Sequence, residues 1–207
     1  MSIAENRTVL KAPNGEQRIV TERTHEPIKL FFTDDLGSYQ DAAALTTLTL
    51  TLYDRDATAL TVINSVDGMN ILNDGTRGTV PTKKTVTGAT NASPIVVTVT
   101  GHGYSTGDRT AVWGVLGNKG ANGVRTITVL DANSFELDGS VGSGAYTSGG
   151  NAVKETQVLL QPADNQILTS TNELEWHRAL IEWTYNAGVR ADKYEIDFPV
   201  RNLAKVT

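Results

Sequence analysis

The sequence predicts an all-β protein, and three observations carry that prediction. The stretch "TTLTLTLYD" sets Leu48, Leu50 and Leu52 on one side of an extended chain and Thr47, Thr49 and Thr51 on the other. That is the period-two signature of a strand buried on one face. Near the C-terminus, "ALIEWTY" alternates Ala179, Ile181, Trp183 and Tyr185 against Leu180, Glu182 and Thr184, and "YEIDFPV" alternates Ile196, Phe198 and Val200 against Glu195, Asp197 and Pro199. No segment holds a helical period for more than about two turns.

Composition sets the outer bounds. The chain has 207 residues, room for one domain or two small ones, and at 39% hydrophobic it can build a core. A net charge of −5, with no basic cluster longer than Lys83-Lys84, argues against nucleic acid as a partner, because phosphate binding needs concentrated positive charge. The absence of cysteine removes disulfides, thiolate catalysis and cysteine-based metal sites together. The N-terminal "MSIAENRTVLKAPNGEQ" has no apolar signal core, and no run reaches the length of a membrane span. The expectation is synthesis in a cytoplasm, without an export signal and without a membrane partner.

In chain order, residues 1–17 are polar and carry the turn signal Pro13-Asn14-Gly15, so they read as an arm or a single edge strand. "PIKLFF" and "ALTVI" flank the Leu/Thr strand as short β-type runs bounded by Asp, Gly and Asn. Composition then shifts: 13 of the 19 glycines fall between Lys84 and Val153. A separate β unit inserted into a loop of another β domain accounts for the shift, since insertion is tolerated where chain ends meet on a surface. Within it, "DGSVGSGAYTSGG" is the most linker-like piece, although Tyr146 argues that it is packed. After the insert, "PADNQIL" suits one short helical turn. "NAGVRADK", with Asn186 and Gly188, suits the loop of a closing hairpin. The expected organisation is an N-terminal arm at 1–17, a discontinuous Ig-like β-sandwich from 18–83 plus 154–207, and a small inserted β-barrel at 84–153.

"GHGYSTGDR" (101–109) is the stretch that most resembles a site. It holds His102, Ser105 and Asp108 among three glycines. A phosphate loop needs a helix behind it to aim amide dipoles, yet "TAVWGV" follows, β-branched and aromatic. A triad needs its groups to converge, and a tight turn sends them apart. The expectation is a glycine turn between two strands.

Other chemistry-bearing residues receive similar readings. His25, His102 and His177 are the only histidines and none is spaced to share a helix face with another, so a turn or surface role is expected rather than a zinc site. Asp34-Asp35 and Asp54-Arg55-Asp56 lack the spaced ligand run of a calcium loop and read as strand-end turns. Glu195 and Asp197 alternate outward and imitate a glycosidase pair; they read as a solvated or subunit-facing surface. Of the tryptophans, Trp183 lies on the apolar parity and is expected in the core. Trp176 precedes that strand and is open to either placement, and Trp113, Trp176 and Trp183 form a sugar platform only if exposed. No catalytic, cofactor-binding or metal residue is expected.

"ATNASPIVVTVTGHGYSTGDRTAVWGVLG", followed by "NGVRTITVLDANSFELDG" and "GAYTSGG", resembles a small β-barrel module of bacteriophage structural proteins. That module is itself similar to the first catalytic-cysteine half-domain of ubiquitin-activating enzymes. The resemblance covers about a third of the chain, and it departs at "VLGNKGANGV", whose hairpin looks reshaped. In that family the half-domain is an appendage without catalytic residues, so no site carries over. The outer segments "IKLFFTDD", the Leu/Thr strand ending "YDRD", and "IEWTYNAGVRADKYEIDFPVRN" resemble in pattern the immunoglobulin-like N-terminal domain of phage baseplate upper, tail and neck proteins. These resemblances imply a non-enzymatic structural component of a tailed-phage virion, assembled in the host bacterial cytoplasm. The implied place is the head–tail neck, the tail or the baseplate. The implied partners are other virion proteins (capsid, portal or neck, or tail subunits), with a homo-oligomer in the particle. Two alternatives stand beside it: a capsid decoration (cement) protein, and a carbohydrate-binding module for host attachment. Residues 1–17 and the tail "PVRNLAKVT" show no partner strand in the sequence and are expected to reach neighbouring subunits.

Overall fold

A computed structural model describes residues 7–9, 19–21, 23–55, 61–63 and 68–205. The protein is all-β, and its described helices are three single 3-10 turns: Lys119–Ala121, Pro162–Asn165 and Leu203–Lys205. The chain divides into two compact units. The first comprises Met1–Lys29, Ala44–Thr79 and Gln157–Thr207, and the second Leu30–Ala43 and Val80–Thr156.

In the first unit the central strands are long. Leu174–Tyr185 pairs along its whole length with Arg190–Arg201 on one side and, from His177 onward, with Leu45–Asp54 on the other, all antiparallel. The register sets Leu48 opposite Trp183, Leu50 opposite Ile181 and Leu52 opposite Ala179. Ala179 also faces Ile196 across the other ladder, and these side chains, with Phe198 and Val200, are buried. One apolar face is therefore assembled from three alternating strands, as the period-two pattern required. The hairpin turns at Asn186, Ala187 and Gly188, each with positive φ (52, 54 and 82°). The smaller sheet is Glu26–Leu30, Thr156–Leu160 and Gly78–Thr79. All but its end residues Leu30 and Thr156 belong to this unit, and it buries Ile28, Val158 and Leu160.

Two expectations need correction here. The alternation of Leu45–Asp54 is broken at Thr51, which is buried because its hydroxyl oxygen accepts the Gly68 amide at 2.8 Å. The chain termini also have internal partners. Arg7–Val9 runs parallel to Glu195–Asp197, Val20–Thr21 runs parallel to Val200–Arg201, and Val200 is buried in the core. The rest of the expected arm, residues 1–6 and 10–17, and the last two residues of the tail lie outside the described residues.

The second unit is a small barrel. Its sheet runs Lys84–Thr85, Asn151–Lys154, Arg109–Trp113, Gly123–Asp131, Ser134–Leu137, Ile95–Thr98, Gly88–Ala89. The first and last members of that order are consecutive pieces of one extended segment. Val86 N donates to Gly150 O on one side, and Thr87 N to Thr98 O on the other, so the ladder closes on itself and leaves no edge. Val86, Ile95, Val97, Val99, Val112, Ile127, Phe135 and Leu137 fill the interior.

Leu30–Ala43 groups with this second unit, whereas the sequence reading placed it in the outer sandwich. The reason is a small set of contacts. The buried Asp41 carboxylate accepts the Lys83 amide at 2.9 Å, Ala42 N donates to Pro81 O, and the Tyr39 ring packs on Trp113 with centroids 5.3 Å apart. The linker-like stretch is packed, as Tyr146 suggested. Asn118 Oδ1 accepts Ser143 N, Asn118 Nδ2 donates to Thr90 O, and the Tyr146 hydroxyl lies within hydrogen-bond reach of the Val86 and Gly149 carbonyls.

Candidate functional site

The glycine turn is a turn. Gly101, Gly103 and Gly107 have φ of 56, 68 and 93°, values that L side chains adopt only at a cost. His102 is buried, with both ring nitrogens committed to the backbone: Nδ1 accepts the Tyr104 amide at 2.9 Å, and Nε2 lies 2.9 Å from the Asp131 carbonyl. Because Nδ1 accepts, Nε2 carries the proton and donates it to Asp131. The ring meets Phe135 edge-on at 5.3 Å. Asp108 is engaged elsewhere, accepting Ser105 N at 2.8 Å and pairing with Lys154 at 2.9 Å. The His102 ring and the Asp108 carboxylate are thus each spent on local structure, and Ser105 meets Asp108 through its backbone. The neighbouring Asp131 carboxyl is held below its usual range by the Ser134 hydroxyl and the Asn133 amide. The Tyr104 phenol is pushed up by burial and then by the Asp108 charge.

The calcium and zinc readings end similarly. Asp34 closes the turn between Phe32–Thr33 and Tyr39–Gln40, accepting the amides of Leu36 and Ser38. Asp56 lies outside the described residues. His25 bonds Gln161, and the three histidines have separate partners. Among the described residues no group of three His, Cys, Asp or Glu could hold a metal ion.

The most organised polar surface lies on the outward face of the first unit's long sheet. Arg178 forms a two-pronged bond to Asp197, Nε to Oδ1 at 2.7 Å and Nη2 to Oδ2 at 3.1 Å, and lies 3.5 Å from Glu195. Lys193 reaches Glu195 at 3.2 Å. Arg55 reaches Asp197 at 3.2 Å and lays its guanidinium over the Trp176 ring, 4.8 Å from the centroid. Glu195 and Asp197, read from sequence as a solvated or subunit-facing pair, are the rungs of an alternating ladder of charge. Cross-strand register explains it: Arg178 sits directly opposite Asp197, so the pairing follows from strand alignment rather than from long flexible reach. Beside the ladder, the hydroxyls of Thr47 and Thr184 are 2.7 Å apart. Such a surface can hold a partner's side chains in fixed register, and its carboxylates are already engaged in ion pairs.

The tryptophans divide as their parity implied. Trp183 is buried, Trp176 is half-buried under Arg55, and Trp113 is half-buried against Tyr39.

One constellation escaped the sequence reading. Inside the first unit, Arg77 pairs with the fully buried Asp164, whose Oδ2 also accepts Gln161 N at 2.6 Å. Nearby, Glu175 accepts the amides of Leu168 and Thr169 at 2.7 and 2.6 Å, and His177 Nε2 lies 3.5 Å from Glu175 Oε2. The signal was present. Glu175 and His177 continue the apolar parity of Ala179, Ile181 and Trp183 backwards along one strand, and a charged residue on that parity must be buried and paired. No protein-family model matches the chain, and no curated protein matches it.

Proposed function

We propose that the chain is a non-enzymatic structural component of a tailed-phage particle, seated at the neck, tail or baseplate and working by packing against other subunits. The family resemblance of the two segments supports the reading, and one structural observation carries it furthest: the ion-paired, threonine-rich face of the long sheet. Protein interfaces taken whole are no more apolar than ordinary surface. A ladder whose side chains are already fixed by one another loses little further freedom when a partner arrives. A capsid decoration protein would use the same face in the same way. The carbohydrate-binding alternative is less favoured, because Trp183 is buried and the rings of Trp113 and Trp176 already carry Tyr39 and Arg55.

Mass spectrometry of gradient-purified particles from a host expressing the gene tests the reading. The chain is expected to band with the particles. Arg178→Glu, which reverses the centre of the ladder, is expected to lower incorporation while the protein stays folded. A chain confined to the soluble fraction, with complete particles lacking it, would overturn the proposal.

A further inference from the structure

His177 is fully buried in the first unit, with its ring edge-on to Phe198 at 5.8 Å. Four segments pack around it, and three of them bring acidic residues. Glu175 is on its own strand, and Asp54 is its cross-strand partner on Leu45–Asp54. The backbone of Asp164 approaches from the 3-10 turn Pro162–Asn165, with the Asp164 carboxylate held by Arg77. From the strand Arg190–Arg201 the ring meets the uncharged Phe198, its register partner.

Glu175 is the link between this ring and the exposed loop 166–173. Its two oxygens accept the Leu168 and Thr169 amides, and the Asn172 side chain donates at 3.3 Å. The oxygen that holds Leu168, Oε2, is also the one 3.5 Å from His177 Nε2. The Asn202 side chain donates to the Ser170 and Asn172 carbonyls, at 3.3 and 2.9 Å, and its backbone amide donates to the Glu173 carbonyl at 2.9 Å.

We infer that His177 is an acid-sensitive latch: when its ring takes up a proton within the core, Glu175 turns to the new cation and releases the 166–173 loop. Neutral imidazole leaves Oε2 to the Leu168 amide. A protonated ring claims the same oxygen with a charge-assisted bond, which is the stronger of the two. The direction of response follows from burial. Burial pushes the ring below its ordinary 6.5, against the opposing pull of Glu175, Asp54 and the Asp164 backbone. Because the folded ring protonates less readily than the unfolded one, its contribution to stability is fully present above 6.5 and is lost as pH falls below it. The loop should let go first, since it is solvent-exposed and its backbone hangs on the Glu175 carboxylate and on Asn202, through that residue's side-chain amide and backbone N–H.

The test is an NMR titration of the full chain from about pH 7.5 to about pH 4.5, a range that spans imidazole protonation. It follows the His177 ring and the amides of Leu168 and Thr169 together. The ring midpoint is expected below 6.5, with both amides shifting at that midpoint. Their exchange protection, corrected for intrinsic rate, should fall by up to tenfold per pH unit between 6.5 and that midpoint and level off below it. In His177→Gln the amides should stay still until the carboxylate range. Should that variant fail to fold, coincidence of ring and amide midpoints in the wild-type protein decides alone. A ring midpoint above 6.5, or amides that move at a different pH from the ring, overturns the latch.

Discussion

The two units reach the same secondary structure by opposite means. The first relies on length: strands of ten and twelve residues align alternating apolar rows, and its polar core is a few strong ionic contacts. The second relies on closure. Apart from the nine-residue Gly123–Asp131, its strands have two to five residues, its ladder wraps round to meet itself, and its loops are pinned by neutral side chains such as Asn118 bonded to backbone. A long alternating strand specifies register by itself, because a one-residue slip would turn every apolar side chain outward. A short strand cannot, so the barrel takes its register from glycine turns and amide staples.

Five substitutions sharpen this contrast, beginning with the buried ion pair. Asp164→Ala leaves the mostly buried Arg77 without its carboxylate. Breaking a buried pair from one side costs about 3–5 kcal/mol, so denaturant unfolding should show the first unit strongly destabilised. Asn118→Ala strands the Thr90 carbonyl and the Ser143 amide in the second unit. A loss of about 2–3 kcal/mol is expected there, with the first unit's transition unmoved; equal loss in both would show that the units do not unfold separately.

The glycines give an internal control. Gly117 and Gly107 both have positive φ, but a Cβ at Gly117 would sit 2.0 Å from the Ala145 carbonyl oxygen, whereas one at Gly107 meets nothing within 4 Å. Gly107→Ala should therefore cost only the backbone strain, about 1–2 kcal/mol, and Gly117→Ala clearly more by thermal melting. Arg178→Ala removes a two-pronged, mostly buried pair on the polar face and should cost about 1–3 kcal/mol. A larger loss would mean that the ladder holds the sheet together as well as presenting a surface.

How much of this was legible follows the same divide. The rows through Leu48, Leu50 and Leu52 and through Ala179, Ile181 and Trp183 were readable because burial of one strand face writes a period into the sequence. The Asn186–Gly188 hairpin and the turn at Pro162–Asn165 were readable from local chemistry. The allegiance of residues 30–43 was not, because it rests on Asp41 meeting Lys83, 42 positions away, and on one aromatic contact. The strand Arg7–Val9 was equally hidden, since three residues carry no period. Of the polar face, the sequence revealed which side chains point outward but not that Arg178 stands opposite Asp197. His177, expected at a turn or on the surface, is instead buried beside Glu175 on the apolar parity of its strand, a continuation that the reading of "ALIEWTY" stopped short of.

The strands that lead into and out of the barrel are hydrogen-bonded neighbours, Thr79 opposite Gln157. They are close in space yet separated by the whole insert along the chain. Bringing the ends of an unstructured loop of that length together costs about 4 kcal/mol of chain entropy. A barrel that has already folded delivers its two ends side by side and removes most of that cost. The order of assembly should therefore run from the inside outward: the interrupting piece matures first, and only then can the three separated parts of its host collapse as one.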